Sequence, residues 1–316
     1  MIDPIQQHLL EEVAQLHEVP EGAYNIRANG KKAGRNTTAN IDIVSKTDKD
    51  GIDIIIKPGT KNESVHIPVV LSESGLTDLV YNDFFVGDNC DVTIVAGCGI
   101  HNCGVQNSQH DGIHTFHVGK NARVRYIERH YGEGDGNGEN IMNPTTVVEL
   151  DEGSYMEMET TQIKGVDSTV RVTRATLGPD ATLIIHEKVM THGKQHAKSD
   201  FTVDLNGAGC HTNVISRSVA RGQSHQVFMA RINGNAPCYG HSECDAIIMD
   251  QGVVSAIPEV TANCLDAQLV HEAAIGKIAG EQLTIGKIAG EQLTKLMTLG
   301  LTEKEAEEQI VNGFLK

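Results

Sequence analysis

The chain has no tryptophan, and aromatics make up only 4% of its 316 residues. Its core must therefore be assembled from Val, Ile, Leu and Ala in many small increments, not around a few large rings. Basic residues are also scarce: 26 Lys and Arg stand against 42 Asp and Glu, a formal charge of −16. That balance argues against nucleic acid or an anionic membrane as a partner. No apolar run approaches the roughly 18 residues of a membrane span. The opening "MIDPIQQHLLEE" is too acidic for a secretory signal. These absences predict a soluble, cytoplasmic protein.

The seven cysteines (90, 98, 103, 210, 238, 244 and 264) are odd in number and scattered. A disulfide framework does not fit, and reduced thiols do. The chain also lacks G-x-S-x-G, a Walker A loop and a well-placed G-x-G-x-x-G. No catalytic constellation emerges, which points away from an enzyme.

What is present begins with a helix over 3–17, with Asp3 as N-cap, Pro4 in the first turn and a stripe of Ile5, Leu9, Leu10, Val13 and Leu16. From Ile41 the pattern turns to short β-branched runs, "IDIVSK", "GIDIIIKPGT" and "VHIPVVLSES", separated by turn residues. A corner of small residues after an aliphatic then recurs at Val86, Val118, Leu150, Leu177, Leu205 and Ile232, in steps of 32, 32, 27, 28 and 27. Corners at a near-constant step, joined by short strands, predict a β-solenoid whose coils stack around an aliphatic ladder. A β-sandwich would turn every 8–12 residues or so without the longer period. The polar "GEGDGNGE" at 132–139 reads as a loop bulging from one coil.

From about His271 the pattern reads as helix again. "LTEKEAEEQIVNGF" carries a capping box, Thr302 with Glu305, and an apolar face of Ala306, Ile310 and Phe314. Before it lies a tandem decapeptide, "IGKIAGEQLT" at 275–284 and again at 285–294. Ten residues turn a helix about 280° past whole circles, so the two apolar sets do not share a face. The repeat reads as an insertion accommodated by a bulge or a locally melted turn. The expected organisation is an N-terminal helix and connector (1–40), a solenoid core (41–270) and a C-terminal helical segment (271–316).

Three clusters could carry chemistry. In "AGCGIHNCGVQNSQHDGIHTFHVG", Cys98, His101 and Cys103 are competent metal ligands, but their spacing matches no closed zinc motif. His114 and His117 fall on opposite faces of one strand. These residues either shape the coil or form a weak site drawn from several coils. In "GHSECDAIIMD", Cys244 sits between Glu243 and Asp245, whose charges oppose a nucleophilic thiolate. In "LVHEAAIGKI", His271 and Glu272 read as a helix start, or else as a ligand with its orienter.

The runs "VYNDFFVGDNCDVTIVAGCGIHN", "GIHTFHVGKNARVRY", "CDAIIMD", "VHEAAIGKI" and "LTEKEAEEQIVNGF" resemble, in order, the SufB/SufD family of iron–sulfur cluster assembly. The similarity is strongest to its short, single-type members. The resemblance implies a right-handed parallel β-helix with helical termini, acting as a scaffold that gathers iron and sulfide and passes on a nascent cluster. It implies a transient iron–sulfur cluster as cargo, a cysteine desulfurase or other sulfur donor, and a homodimer whose subunits each hold a SufC-like ABC ATPase.

By the same resemblance, Cys98 matches a cysteine proposed as a sulfur entry point. Cys244 matches an interface cysteine, and His271 with Glu272 the pair facing it from the other subunit. His114, His101 and Cys103 are possible additional ligands, and Leu301, Ala306, Ile310, Val311 and Phe314 the expected ATPase-docking face. The family's Gln-Asn-Trp segment is replaced here by "ERHYGEGDG". The competing readings are a solenoid with a static metal site, or a solenoid enzyme such as an acyltransferase or lyase.

Overall fold

A computed structural model of the chain describes residues 2–16, 20–278, 295–299 and 301–315. Its helix α1 (Pro4–Ala14) has the predicted cap: the Asp3 carboxylate accepts from the Gln6 backbone N–H at 2.8 Å, and the Gln6 side chain answers it. Leu9, Leu10 and Val13 are buried, while Ile5, placed in the stripe by its spacing, faces outward.

Twenty strands then wind into a β-solenoid of about eight turns. One sheet holds β1 (Ala23–Ala28), β2 (Lys31–Asn36), β5 (Lys61–Leu71), β7 (Asp91–His101), β9 (Arg123–Glu133), β12 (Tyr155–Lys164), β14 (Thr182–Thr191), β16 (His211–Ala220), β18 (Tyr239–Met249) and β20 (Gln268–Ile278). The facing sheet holds β3 (Ile41–Ser45), β4 (Gly51–Ile56), β6 (Thr77–Val86), β8 (Ser108–Val118), β10 (Asn140–Met142), β11 (Thr145–Leu150), β13 (Ser168–Leu177), β15 (His196–Leu205), β17 (His225–Gly234) and β19 (Val253–Ala262). Apart from the β1–β2 and β3–β4 hairpins, neighbours pair in parallel. Strands alternate buried and exposed positions, so every second residue joins the interior ladder.

The corner period is the coil length. Val86, Val118, Leu150, Leu177 and Leu205 stand on successive rungs of one ladder. The sixth corner was predicted two residues early: Leu205 pairs with Gly234, while Ile232 pairs with Val203. Nearby turns use Asn89, Asn121, Gly153, Asp180 and Gly209, all at positive φ between 53° and 76°. Asn, Asp and Gly are the residues that tolerate it. Asn206, Asn235 and Asn263 run up the next corner as a ladder of side-chain bonds of 2.7 Å.

Three expectations change. The solenoid begins at Ala23, inside the predicted connector, and its last strand runs on to Ile278, so the sequence around His271 is strand, not a helix start. The 132–139 segment does not bulge from one coil alone but stacks on the loop of the coil below, where Gly136 and Gly138 donate to the carbonyls of Asn102 and Gly104. Added Cβ atoms there would fall within 2.3 Å of that backbone, which explains the glycines. Most of the first decapeptide copy and all of the second lie outside the described residues.

The two ends of the rod differ. Helix α1 lies against β7, where Gly97 and Gly99 leave room for Val13 and Leu9. At the other end, β19 and β20 have no neighbour on their outer side among the described residues, and the inward-facing Ala256, Val260 and Leu269 are only partly buried. Helix α2 (Glu303–Phe314) carries the predicted capping box and packs its Val311, Ile310 and Phe314 on Val219, Ile247 and Met249 of the solenoid wall.

Candidate functional site

The interior of the rod is not purely aliphatic. From the β1 and β6 coils to the β16 coil, a string of charged and polar side chains runs beside the aliphatic ladder. Asp78 is 4% exposed and takes a forked pair of hydrogen bonds from Arg27, 3.0 Å to Nε and 2.6 Å to Nη2. Burial alone would raise its pKa, but His110 and Arg27 pull it down to about 2.

One coil further, the Asn82 amide faces His114 Nε2 at 3.3 Å, and His114 Nδ1 lies 2.8 Å from the Tyr126 hydroxyl. That hydroxyl donates to Glu128 at 3.1 Å. Because the amide N–H can only donate, Nε2 accepts and Nδ1 carries the proton. Burial holds His114 neutral, with a pKa lowered to about 4.

Glu128 accepts from Arg171, whose Nη2 also lies 3.3 Å from His130 Nδ1. Arg171 Nε stands 3.6 Å from Glu187, and Ser199 and Ser216 donate to the two Glu187 oxygens at 2.5 and 2.8 Å. Burial would raise Glu128, yet Arg171 and His130 hold it well below the usual carboxylate range. Burial works against the Arg171 charge too, and the two glutamates more than offset it. Each buried charge has its partner, as interior charges require.

Both predicted thiols lie against this string, Cys98 between the rungs of Arg27 and His130 and Cys244 beyond Glu187. Cys98 points inward from β7, 2% exposed, beside a cavity of ≈ 10 Å³ shared with His110, His114, Glu128 and His130. That is room for about one water and far too little for a metal cluster. Burial first, then Asp78, Glu128 and Asp111, push its pKa well above the ordinary thiol value. Cys244 points inward from β18, 2% exposed, its pKa pushed up to about 12 by burial, then by Glu187 and Asp245.

His271 and Glu272 lie on β20, one strand beyond Cys244, and both are exposed. His271 shares a rung with the inward-facing Ser242, so it belongs to the Cys244 side of the sheet. Glu272 points the other way and sits 3.7 Å from His241 on the outer face. The two therefore do not act as neighbours on one surface. Among the described residues, no three His, Cys, Asp or Glu side chains converge to hold a metal ion.

The remaining predicted residues separate. His114 belongs to the buried string, whereas His101 and Cys103 stand on the outer wall, with Cys103 Sγ 3.0 Å from His101 Nε2. Ala306 and Val311 of the expected docking face are buried within the chain, so they cannot be that face; Ile310 and Phe314 are half-buried beside them and Leu301 is half-buried. The apolar side chains left open near α2 are Met297 and Leu299, 43% and 74% exposed.

Sequence reading missed Arg27, Asp78, Glu128, His130, Arg171 and Glu187. Strand parity could have found three residues of the string, since Tyr126, Glu128 and His130 alternate in step with the interior Val124.

Comparison with known proteins decides what this rod is. The family profile "SUF system FeS cluster assembly, SufBD core domain" matches residues 81–314, from β6 through α2. The chain belongs to the SufBD family. Similar SufBD family proteins of iron–sulfur cluster assembly occur in archaea. One from Archaeoglobus fulgidus is 30% identical over 274 residues, spanning 85% of this chain and 69% of its own. One from Methanocaldococcus jannaschii is 29% identical over 266 residues, spanning 83% and 79%. One from Pyrococcus horikoshii is 25% identical over 297 residues, spanning 92% and 86%. The family match covers the string from Asn82 to Glu187 and the open end, but not its Arg27 and Asp78.

Proposed function

We propose that this SufBD protein is a non-enzymatic scaffold of an iron–sulfur assembly complex in the cytoplasm, on which iron and sulfide meet at the open end of the solenoid. The observation that carries this reading is the placement of Cys244 one strand inside that end, with His271 on the terminal strand of the same inner face. The described residues of one chain supply too few converging ligands, and a second copy docked end to end would supply the rest. The unpaired edges of β19 and β20 are what such docking would use, since an edge strand offers free backbone donors and acceptors.

Mixed ligation by thiolate and imidazole holds a cluster less tightly than four thiolates, which suits release of a transient cargo. A thiol with a pKa near 12 stays protonated in the isolated subunit. Bound iron would displace that proton. The driving partner in this reading is a SufC-like ABC ATPase, seated against the exposed Met297 and Leu299, the half-buried Leu301 and the acidic outer face of α2.

Anaerobic incubation with ferrous iron and sulfide tests the assignment. The chain should develop visible charge-transfer absorbance, and Cys244→Ala or His271→Ala should abolish most of it. Unchanged absorbance in both variants refutes the site.

A further inference from the structure

The N-terminal end of the rod concentrates positive charge in a chain whose formal charge is −16. Arg27, Lys31, Lys32 and Arg35 fall within the ten residues 27–36, which hold no acidic residue, and all four stand on the β1–β2 hairpin. That hairpin ends one sheet as the β3–β4 hairpin ends the facing one. Between them lies a cavity of ≈ 140 Å³, floored by Ile52, Ile67, Val69 and Val80 of the first coil. Arg35 shares a rung with Asn25 and Lys32 with Arg27, and all four line the cavity. Residues three apart on a strand ordinarily point to opposite faces. The register shift between these two rungs leaves Ala33 as an extra residue, which turns Lys32 and Arg35 to the same side.

The charges around this cavity do not cancel. Arg27 is paired with Asp78, and Asp50, the one carboxylate in the lining, is 79% exposed and 3.8 Å from the same guanidinium. Lys46 also borders the cavity, but its ammonium is held by Asp53 and Asp83. The Lys49 ammonium lies over the Tyr81 ring, 4.4 Å from its centre. Arg35 is different, because its partners are all neutral. Its Nε donates to Asn25 Oδ1 at 2.8 Å, and its Nη1 to the Ser45 hydroxyl at 3.0 Å and the Ile43 carbonyl at 3.3 Å. Burial lowers its pKa, and the charge of Asp42 offsets this only in part. Among the described residues no carboxylate pairs with Arg35 or with Lys32.

We propose that this cavity binds a free oxyanion of the phosphate class, held by the Arg35 guanidinium and the Lys32 ammonium with the Ser45 hydroxyl as a further donor. A guanidinium already fixed by three hydrogen bonds presents its remaining N–H groups without further ordering, and an ammonium adds a point charge. The volume is well below the roughly 300 Å³ at which sites for larger organic ligands begin. No aromatic side chain lines the cavity, so a nucleotide base has nothing to stack on. The anion supplies the counter-charge that the two hairpins lack and ties β2 to β3, at the end of the rod opposite Cys244.

Titration of the full chain with sodium phosphate at constant ionic strength tests this, read by isothermal calorimetry and by melting temperature. Phosphate should raise the melting temperature to a plateau, whereas chloride or acetate in its place should not. Arg35→Gln should weaken phosphate binding about tenfold or more. Lys32→Gln should weaken it by a smaller factor, and Lys61→Gln, at an exposed position of β5, should leave it unchanged. Lys32 makes no hydrogen bond or ion pair among the described residues, so its variant decides the matter even if Arg35→Gln does not fold. The absence of a plateau, equal stabilisation by chloride or acetate, or an affinity that Lys32→Gln does not move overturns the proposal. ATP binding more tightly than phosphate, with the same loss in Lys32→Gln, overturns it too, since the cavity would then serve a nucleotide.

Discussion

Glu128 and Arg171, 43 residues apart in the chain, form an ion pair inside the solenoid with their side chains 3% and 4% exposed. Neither could be buried alone at acceptable cost. Arg171→Met should therefore destabilise the protein by about 3–5 kcal/mol. Adding Glu128→Gln should recover part of that loss, because the orphaned carboxylate is gone. Chemical denaturation of the two single variants and the double checks this; additive losses would mean that the pair is not coupled.

Acid should loosen the rod at a defined place. His114 titrates at about 4 in the folded chain against an ordinary 6.5. The unfolded chain therefore binds this proton first, and stability present above pH 6.5 is lost as pH falls toward 4. Asp78, lowered from 3.8 to about 2, adds a second loss below that window. Melting temperature should fall on acidification through 6.5 to 4, and His114→Gln should flatten the upper part of the slope. A profile flat over that range in the unsubstituted chain contradicts the buried neutral imidazole.

Two glycines should answer substitution in opposite ways. A Cβ at Gly97 would lie 2.8 Å from the backbone oxygens of Arg129 and Val13, so Gly97→Ala must push α1 off the wall. A loss of about 1–3 kcal/mol is expected. At Gly313, within α2, a Cβ meets nothing within 4 Å. Gly313→Ala should raise stability by about 0.5–1 kcal/mol. Thermal melts of both variants provide the check.

The open end should govern assembly. Ala256 and Leu269 face the interior at the last coil, only partly covered. Lysine at both positions would place charge where a second copy must pack. Light scattering should show a dimer for the unsubstituted chain and a monomer for Ala256→Lys with Leu269→Lys. A monomer in both cases would remove the end-to-end arrangement.

The rod was legible because its corners repeat: a positive-φ turn each coil needs Asn, Asp or Gly, and those residues mark the period even where the strands are unremarkable. The register slipped once, at Ile232, because "INGNA" offers two small-residue corners two positions apart and only stacking on Leu205 selects the later one. The β1–β2 hairpin had its own signal, Asn29-Gly30, both at positive φ and joining two strands. The interior string was not legible, since an isolated Glu or Arg reads as surface until a partner from another coil is seen beside it. His271 read as a helix start because the Glu beside it suits a helix N-terminus, although β20 pairs with β18 over eleven rungs.

A parallel solenoid is also a ruler. Each rung adds about 4.8 Å to the rod, so the separation between the level of Cys98 and that of Cys244 is fixed by a whole number of coils. A relative that gained or lost one coil between them would keep both ends and every corner intact, yet change that distance by one step. The length of the middle of such chains is thus under chemical constraint even where its individual residues are free to vary.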